Sequence, residues 1–485
     1  MSHSAVDFLQ RRFAPVLSSR AILWATLLLA VALFAGANLP WHLDEYDQAK
    51  QAYVAYEISK GGDWLYQHTP RGDTATKPPL AGWISLALRA IGVPWDLAWR
   101  LPGFVIALVL LAMLLRAGRE ILPDGGATLA AAAFSLNLLT PRLATLVRTD
   151  MMLTFLIFVC GWMIHRKIRD GTAWKTGERI VFAAAMLAAL LTKGPIIYAF
   201  LLPGMAAFLF LAPKGRKALV WSGWWTWVLP LAVFVIWGVN GLVNNREFYE
   251  DVVVREFFSR FDQSLKSHER QQPLWFYLPH LLHKFLPWSL LLIALPVASQ
   301  NVRKAIRERP EVLWLVCWAL GGLLLMTFVP SKRVDRIYPV VPPLCLLLVS
   351  FVAACQCGAK VRAWAGACVL AAVLFAGCYF AGIVWMGTMA HDDRLVNLGS
   401  SVRDITGSRP FAMVDARDEG MVIYTDAPEF LKPREAAELW KAGKIDALLA
   451  PERALPNLPE MPAPVLEAAG KREPRYFLFL RTSQP

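Results

Sequence analysis

The sequence has few cysteines, and none of them is placed for a disulfide framework or a paired metal site. The seven cysteines among its 485 residues lie almost all within apolar runs. Cys355 and Cys357 are separated by one residue, which is too close for the Cys-x-x-Cys spacing of metal and redox sites. We therefore interpret the cysteines as small apolar side chains of the core.

The sequence also lacks the signatures of proteins that bind nucleotides or nucleic acids. It contains no Rossmann-type glycine fingerprint, so a fold for nucleotide-sugar substrates is not predicted. It contains no cluster of Lys and Arg with interleaved aromatic residues of the kind that binds RNA or DNA. We expect no nucleic-acid partner.

Apolar residues, in contrast, are abundant. Hydrophobic residues make up 56% of the chain, which has 20 Trp and 26 Phe. Repeated apolar runs of about 17–25 residues match the thickness of a bilayer's hydrocarbon core. The sequence predicts an all-α polytopic membrane protein with about eleven transmembrane helices. The predicted spans lie near residues 21–37, 100–118, 125–141, 150–166, 179–193, 196–212, 219–241, 281–298, 312–329, 338–356 and 362–387.

The Lys and Arg residues predict the orientation of these spans. Arg11, Arg12 and Arg20 precede the first span, which has no clear cleavage site, so we expect a retained first helix and a cytoplasmic N-terminus. Alternating the spans then puts most inter-span basic clusters on the cytoplasmic side. The outer side receives the polar intervals 39–79, 142–150, 242–280 and 330–337 and the residues after about 388.

Two domains follow from this topology. Residues 1–387 are predicted to form the transmembrane domain, with residues 39–79 as its first outer loop. Residues 388–485 are predicted to form a small extracytoplasmic α/β domain. Its short β-like runs are 410–415, 421–424, 447–450 and 476–480, and residues 433–441 have helical character.

Three outer intervals are basic, against the usual charge bias of membrane proteins. Placing cations on the translocated side is unfavourable for insertion, so we expect them to bind phosphate. The alternative is that they pair with nearby acids or with lipid headgroups. The residues are Arg142 and Arg148; Arg246, Arg255, Arg260, Lys266 and Arg270; and Lys332, Arg333 and Arg336.

The first outer loop carries adjacent carboxylates, Asp44 and Glu45, and a Lys77-Pro78-Pro79 turn. The spacing of Ala49, Tyr53, Tyr56 and Lys60 predicts a helix along the membrane interface, with its tyrosines at headgroup depth. Asp44 and Glu45 precede this helix and point in different directions, so we expect one of them to face a substrate.

Asp150 stands at the outer mouth of a predicted span, in Arg148-Thr149-Asp150. Holding an ionisable residue there costs free energy unless it has a charged partner or a function, which makes Asp150 a site candidate. The structural alternative is a helix cap, because Asp at a helix start satisfies free backbone amides. The two interpretations are compatible.

Many short motifs follow one another along residues 20–360. They are Asp44-Glu45, Gly62-Asp63-Trp64, Lys77-Pro78-Pro79, Arg100-Leu101-Pro102, Arg148-Thr149-Asp150-Met151, Lys193-Gly194-Pro195, Arg260-Phe261, Pro273 to Pro279, Phe285-Leu286-Pro287-Trp288, Ser331-Lys332, Tyr338-Pro339 and Pro342-Pro343. Each motif alone is weak, but so many in one order are specific. This order resembles that of the bacterial aminoarabinose transferases of lipid A, which belong with the protein O-mannosyltransferase-like enzymes of the GT-C membrane glycosyltransferase fold.

The resemblance implies an inner-membrane enzyme that moves a monosaccharide from a polyprenyl-phosphate carrier to an outer acceptor, either a lipid A-type glycolipid or a protein. It implies that Asp44 is the catalytic acid or base, with Asp150 as the second carboxylate and Glu45 beside it. Lys77 would bind the carrier phosphate. Further phosphate-binding candidates are Arg148, Arg260, Arg270, Lys332, Arg333 and Tyr338.

The sequence departs from the family at two positions that resemble its metal ligands. Thr76 stands where many relatives have Glu, and Phe257 stands where they have His. We therefore assign no metal ligands and predict no cofactor. Binding of a divalent ion by lone histidines is still an alternative, although such histidines are more often structural groups. These are His68, His268, His280 and His283.

Two other functions remain open at this stage. Protein O-mannosylation would differ in its acceptor, a Ser or Thr hydroxyl. A lipid or solute transporter could use the same cations, but it predicts charged residues in the middle of spans and a site reachable from both faces. The candidate acids lie at one membrane face, which favours an enzyme.

Overall fold

A computed structural model of the chain describes residues 11–245, 247–258, 272–355 and 359–481, apart from the side chains of 255–257. The chain divides into two compact units. The first contains the described parts of 1–38, 100–246 and 253–386, and the second contains those of 39–99, 247–252 and 387–485. The second unit thus combines the predicted first outer loop with the C-terminal residues.

The first unit is built from helices. Two segments, Tyr249–Phe257 and Trp385–Met389, run from one unit into the other. The α-helices of the first unit are Arg20–Gly36, Leu101–Ile121, Gly126–Ser135, Thr140–Thr145, Asp150–Asp170, Thr176–Lys193, Ile196–Leu211, Lys214–Lys217, Trp225–Asn244, Tyr277–Lys284, Trp288–Ala298, Gln300–Glu308, Pro310–Phe328, Val341–Ala354 and Ala359–Tyr379. Shorter helical turns are Ala14–Val16, Ala218–Val220, Leu274–Phe276, Val334–Val340 and Phe380–Val384.

Each of the eleven predicted spans contains a helix, but these helices differ in length. Among the described residues, six helical segments are long and apolar enough to cross a bilayer. A bent pair, Leu274–Lys284 and Trp288–Ala298, makes seven if its two arms count as one span. Of the other predicted spans, some hold helices of only 10–17 residues, and Thr176–Lys193 carries charges at both ends. The chain is therefore a polytopic membrane protein in which several spans are short.

Two of these helices cross at glycines. A Cβ atom added to Gly321 would lie 2.5 Å from the backbone nitrogen of Gly204, and one added to Gly204 would lie 2.8 Å from Cα of Trp318. Small residues allow the backbones of membrane helices to approach this closely. The helices Ile196–Leu211 and Pro310–Phe328 therefore depend on these two positions for their contact.

The second unit is an α/β structure around one five-stranded sheet. Its strands are β1 (Phe411–Val414), β2 (Phe430–Leu431), β3 (Ala447–Pro451), β4 (Leu466–Ala469) and β5 (Arg475–Leu480), in the order β2-β1-β3-β5-β4. The strand β1 is parallel to β2 and β3, whereas β5 is antiparallel to β3 and β4. The helices are Tyr46–Ser59, Leu80–Ala90, Trp95–Ala98, Arg394–Thr406, Met421–Tyr424 and Pro433–Lys441, with a turn at Glu452–Asn457.

Alternate residues of the strands fill two hydrophobic cores, one on each face of the sheet. Met413 and Leu449 enter one core, whereas Leu448 enters the other, as the two-residue period of a strand requires. The first core also contains Tyr53 and Tyr56. The helix of the first outer loop is therefore part of the same folded core as the C-terminal sheet.

Two local expectations need correction. Tyr53 and Tyr56 do not face lipid headgroups, because both side chains are buried in this core. The hydroxyl of Tyr53 donates to the carbonyl of Pro428 and that of Tyr56 to the carboxylate of Asp426. Residues 421–424 form a short helix rather than a strand, since four apolar residues do not set a period and Asp418-Glu419-Gly420 begins a helical turn there.

The glycine crossing gives a stability prediction. Gly321→Val should lower the Tm of the purified protein in detergent by several degrees, because the added side chain forces the helices apart at a cost of about 1–3 kcal/mol. Gly377→Val is the matched control, since a Cβ at Gly377 meets no atom within 4 Å. Thermal unfolding followed by tryptophan fluorescence measures both, and equal Tm values for the two variants would contradict the prediction.

Candidate active site

Asp44 lies just before the helix Tyr46–Ser59, and its two carboxylate oxygens have different surroundings. Oδ2 accepts a hydrogen bond from Nζ of Lys471 at 2.5 Å. Oδ1 is buried, and no hydrogen-bond donor reaches it from the described residues. His42 is the other titratable neighbour, with Nδ1 3.9 Å from Oδ2. The carboxylate therefore has one oxygen bound to Lys471 and one buried without a hydrogen-bond donor among the described residues.

Glu45 and Lys77, the other two site candidates in the second unit, each lie just before the start of a helix. Glu45 is the N-cap residue of Tyr46–Ser59 and makes no side-chain cap to it. Lys77 is half-buried in the loop that leads into the helix Leu80–Ala90, which begins after Pro79. Proline suits this position because a helix start leaves backbone N–H groups unpaired in any case.

Asp150 is the first residue of the helix Asp150–Asp170, and its carboxylate forms an ion pair with Lys193. Asp150 is buried and Lys193 partly buried. An acid in the first turn also complements the helix dipole. The N-cap residue is Thr149, so the interpretation of Asp150 as the helix cap is wrong, and its charge is compensated by Lys193 instead.

A second ion cluster joins residues of two predicted outer intervals. Nη1 of Arg148 lies 2.6 Å from Oδ2 of Asp335, and Nη2 of Arg333 lies 3.3 Å from the same oxygen. Two guanidinium groups therefore share one carboxylate.

The first unit encloses a cavity of about 990 Å³ beside this cluster. This volume is at the upper end of the roughly 300–1,000 Å³ of small-molecule sites. The wall combines apolar side chains with cations, which suits an amphiphilic ligand. Its apolar lining includes Leu33, Leu136, Leu139, Leu143, Leu146, Ala372, Phe375, Ala376 and Tyr379, and its polar lining includes Arg142, Arg148, His283, Lys284, Arg333 and Asp335.

A short, anchored segment places Arg142 in this wall. The amide of Asn38 donates to the carbonyl of Arg142 at 2.7 Å and to the hydroxyl of Thr145 at 2.8 Å. The helix Thr140–Thr145 is thereby tied to the end of Arg20–Gly36. Sequence reasoning missed Lys284, although it directly precedes the Phe285 to Trp288 motif.

The remaining candidates are not all brought to the cavity. The hydroxyl of Tyr338 is buried and donates to Thr140 at 3.1 Å, and Nζ of Lys332 donates to the carbonyl of Gln272 at 3.3 Å. Neither residue is among the described residues that line the cavity. Arg260 and Arg270 lie outside the described residues, so their positions stay predictions.

No group of three or more His, Cys, Asp or Glu side chains close enough to hold a metal occurs in the described ranges. His68 is bound to Glu57, with Nδ1 2.7 Å from Oε1, and this hydrogen bond raises the pKa of His68. His268 and the side chain of Phe257 lie outside the described residues. The sequence-based assignment of no metal ligands stays a prediction.

The comparisons with known proteins agree with the motif order. No protein-family model matches the sequence. The chain is 25% identical over 376 residues to the undecaprenyl phosphate-alpha-4-amino-4-deoxy-L-arabinose arabinosyl transferase of Yersinia enterocolitica, across 71% of this chain and 61% of the relative. It is 28% identical over 344 residues to the enzyme of the same name from Pseudomonas aeruginosa, across 68% and 59%. The chain spans about three fifths of the length of these curated relatives.

Solved structures share the fold over nearly the whole chain. The crystal structure of ArnT from Cupriavidus metallidurans bound to undecaprenyl phosphate matches with a TM-score of 0.67 at 18% identity, covering 96% of this chain and 98% of that one. The archaeal oligosaccharyltransferase AglB from Archaeoglobus fulgidus, in complex with an inhibitory peptide and a dolichol-phosphate, matches with a TM-score of 0.55 at 12% identity, across 89% and 69%. These matches confirm the predicted GT-C fold and the resemblance to the aminoarabinose transferases.

The ion pair of Asp150 gives a second prediction. Asp150→Asn should destabilise the protein by about 3 kcal/mol, because it leaves the Lys193 cation without its carboxylate. The double variant Asp150→Asn with Lys193→Met should regain most of this loss. Thermal unfolding in detergent measures both.

The control for this test is the exposed pair of Lys304 and Glu308, whose Nζ and Oε2 atoms are 3.8 Å apart. Glu308→Gln should change the free energy of unfolding by less than about 1 kcal/mol. An Asp150→Asn variant as stable as the Glu308→Gln variant would rule out a structural contribution of the pair.

Proposed function

We propose that the chain is an integral-membrane glycosyltransferase that uses a polyprenyl-phosphate sugar as its donor. The observation that carries this proposal is the cavity of the first unit, in which an apolar wall and a group of cations meet. A polyprenyl phosphate needs both, because its chain is a hydrocarbon and its head is an anion. The sequence similarity to aminoarabinose transferases and the shared fold with ArnT support the same function.

The cations of the cavity match the charge of a phosphate head. Arg148 and Arg333 share Asp335, and Arg142 and Lys284 add further positive charge. A guanidinium can bind two phosphate oxygens at once, which an ammonium cannot. The cluster therefore suits the carrier phosphate, and we assign it to carrier binding. Lys77 is a separate candidate for phosphate binding.

The reaction we propose is a single displacement at the anomeric carbon of the sugar. The acceptor oxygen forms a bond to this carbon while the bond to the carrier phosphate breaks, and the electron pair leaves on the phosphate. Cations that stabilise the developing negative charge accelerate this step. Asp44 takes the proton of an acceptor hydroxyl as general base, through its available Oδ1. The anomeric centre is inverted.

The acceptor we propose is a lipid A-type glycolipid on the outer face of the inner membrane. The basic residues between spans support a cytoplasmic N-terminus and an extracytoplasmic position for residues 388–485. A transporter is less well supported, because the charged residues of the described apolar helices lie in the first or last third of each helix rather than in mid-span. Protein O-mannosylation differs from the proposed reaction only in its acceptor.

Mass spectrometry of the cell envelope tests the proposed function. Envelope lipids from cells with the wild-type protein should carry a monosaccharide increment that is absent from a deletion strain. Asp44→Asn should abolish the increment, because an amide cannot accept the proton, while membrane levels of the protein stay normal.

Three other outcomes of this experiment would contradict parts of the proposal. A hexose lost from secreted proteins, with unchanged lipids, would favour protein mannosylation. No covalent change in either fraction would favour a transporter. An unchanged increment in the Asp44→Asn strain would remove Asp44 from the mechanism.

The role of Lys77 is tested by carrier binding. Undecaprenyl phosphate should raise the Tm of the wild-type protein in detergent, and Lys77→Ala should require roughly tenfold more carrier for the same rise, because one charged phosphate contact is lost. Undecaprenol, which lacks the phosphate, is the control ligand and should not distinguish the two proteins. Equal responses of both proteins to undecaprenyl phosphate would exclude Lys77 as a phosphate ligand.

A further inference from the structure

The contact between Asp44 and Lys471 joins residues 427 positions apart in the sequence. Lys471 lies in the turn between the antiparallel strands β4 and β5. Its side chain is 39% exposed and that of Asp44 is 15% exposed. A half-exposed ion pair contributes little to stability, about 0–1 kcal/mol. Stability alone therefore gives a weak reason for this contact.

The turn that carries Lys471 is organised around one buried carboxylate. Asp418 is 2% exposed and accepts hydrogen bonds from the backbone N–H groups of Lys471 at 3.2 Å, Arg472 at 2.9 Å and Glu473 at 3.3 Å. The hydroxyl of Tyr476 adds a fourth bond at 3.0 Å. Four donors on one carboxylate fix the backbone of the turn, and with it the origin of the Lys471 side chain.

Gly470 shows how tightly the turn is packed. A Cβ atom added to Gly470 would lie 2.6 Å from the carbonyl oxygen of Glu473 and 2.8 Å from Oδ2 of Asp418. Any side chain at this position would push the turn away from Asp418. The turn is therefore a rigid base for Lys471.

The segment that contains Asp418 also holds the chain next to Asp44. The backbone N–H of Leu43 donates to the hydroxyl of Tyr424 at 2.7 Å. A Cβ atom added to Gly420 would lie 2.7 Å from the carbonyl oxygen of Leu43. Residues 418–424 thus fix the backbone on both sides of the contact, at Asp44 and at Lys471.

We propose that Lys471 is a positioning residue for the transfer reaction, an inference that rests on the proposed function. By holding Oδ2 of Asp44, the ammonium fixes the carboxylate plane and directs the buried, unpartnered Oδ1 to the acceptor. The proton of the acceptor hydroxyl passes to Oδ1 as the new bond to the anomeric carbon forms. The C-terminal sheet therefore supplies a residue that orients the general base.

The test compares four forms of the full-length protein in detergent: wild type, Lys471→Met, Lys471→Arg and Lys444→Met. The donor is undecaprenyl phosphate-linked 4-amino-4-deoxy-L-arabinose and the acceptor is lipid A. Lys471→Met should lower kcat by roughly tenfold, the effect of one hydrogen bond to a charged group, with an unchanged KM for the donor. Lys471→Arg should recover most of kcat, because a guanidinium can also donate to Oδ2.

Two measurements separate positioning from a structural role. Lys444 is an exposed lysine of the same sheet domain, and Lys444→Met should retain wild-type kcat. The rise of Tm with undecaprenyl phosphate should be the same in all four proteins, since Lys471 is assigned no role in carrier binding.

The outcomes distinguish this inference from the proposed function. A wild-type protein that transfers no sugar contradicts the proposed function for this donor. An active wild type with equal kcat in Lys471→Met overturns only the role of Lys471. The role is also overturned if Lys471→Met and Lys471→Arg lose kcat together with Tm, because the pair would then serve the fold alone.

Discussion

Charges beside the apolar helices of the first unit must be compensated, because an ionised side chain is costly to hold away from water. The structure meets this constraint with ion pairs near helix ends. Asp150 starts its helix and takes Lys193 as its partner, and Asp335 takes two guanidinium groups. The three side chains of the second case lie in the wall of the cavity, where a guanidinium group can also bind an anion.

The same constraint explains why a lipid-linked phosphate suits this cavity better than a free anion. A free anion would satisfy the cations but leave the apolar wall facing water. A polyprenyl phosphate covers both, since its chain can lie against Leu33, Phe375 and similar side chains. Burial of this apolar surface adds about 25 cal/mol per Å² to binding. In the proposed complex, the hydrocarbon would therefore provide affinity and the phosphate would provide position.

Much of the fold was predictable because a helix that crosses a bilayer needs a run of about 20 apolar residues, which is visible in the sequence. Runs of apolar residues gave a helix in every predicted span, and the Pro and Gly motifs marked many of their ends. Span lengths were less predictable, since Gly126–Ser135 is short and Leu274–Ala298 is sharply bent. These features depend on packing against neighbouring helices, which no local pattern records.

The sequence predicts candidate site residues but not how their side chains pair. Asp150 and Lys193 stand in separate motifs, and only the folded helices bring them together. Lys471 stands in Gly-Lys-Arg-Glu, a common turn sequence, and nothing in that sequence indicates a partner 427 residues away. The burial of Tyr53 was missed for a similar reason. A tyrosine on one helix face suits a membrane interface as well as a protein core, and the C-terminal sheet decided between them.

The shared core of the second unit has a consequence for how the proposed enzyme could diverge. Asp44 lies immediately before a helix whose Tyr53 and Tyr56 are buried in the core of the C-terminal sheet. The cavity proposed for the carrier takes all its described lining residues from the first unit. Substitutions in the sheet can therefore alter the surroundings of the proposed base while they leave the residues that line the cavity unchanged. If the proposed function is correct, the acceptor can change in such a protein while binding of the carrier in the cavity stays constant.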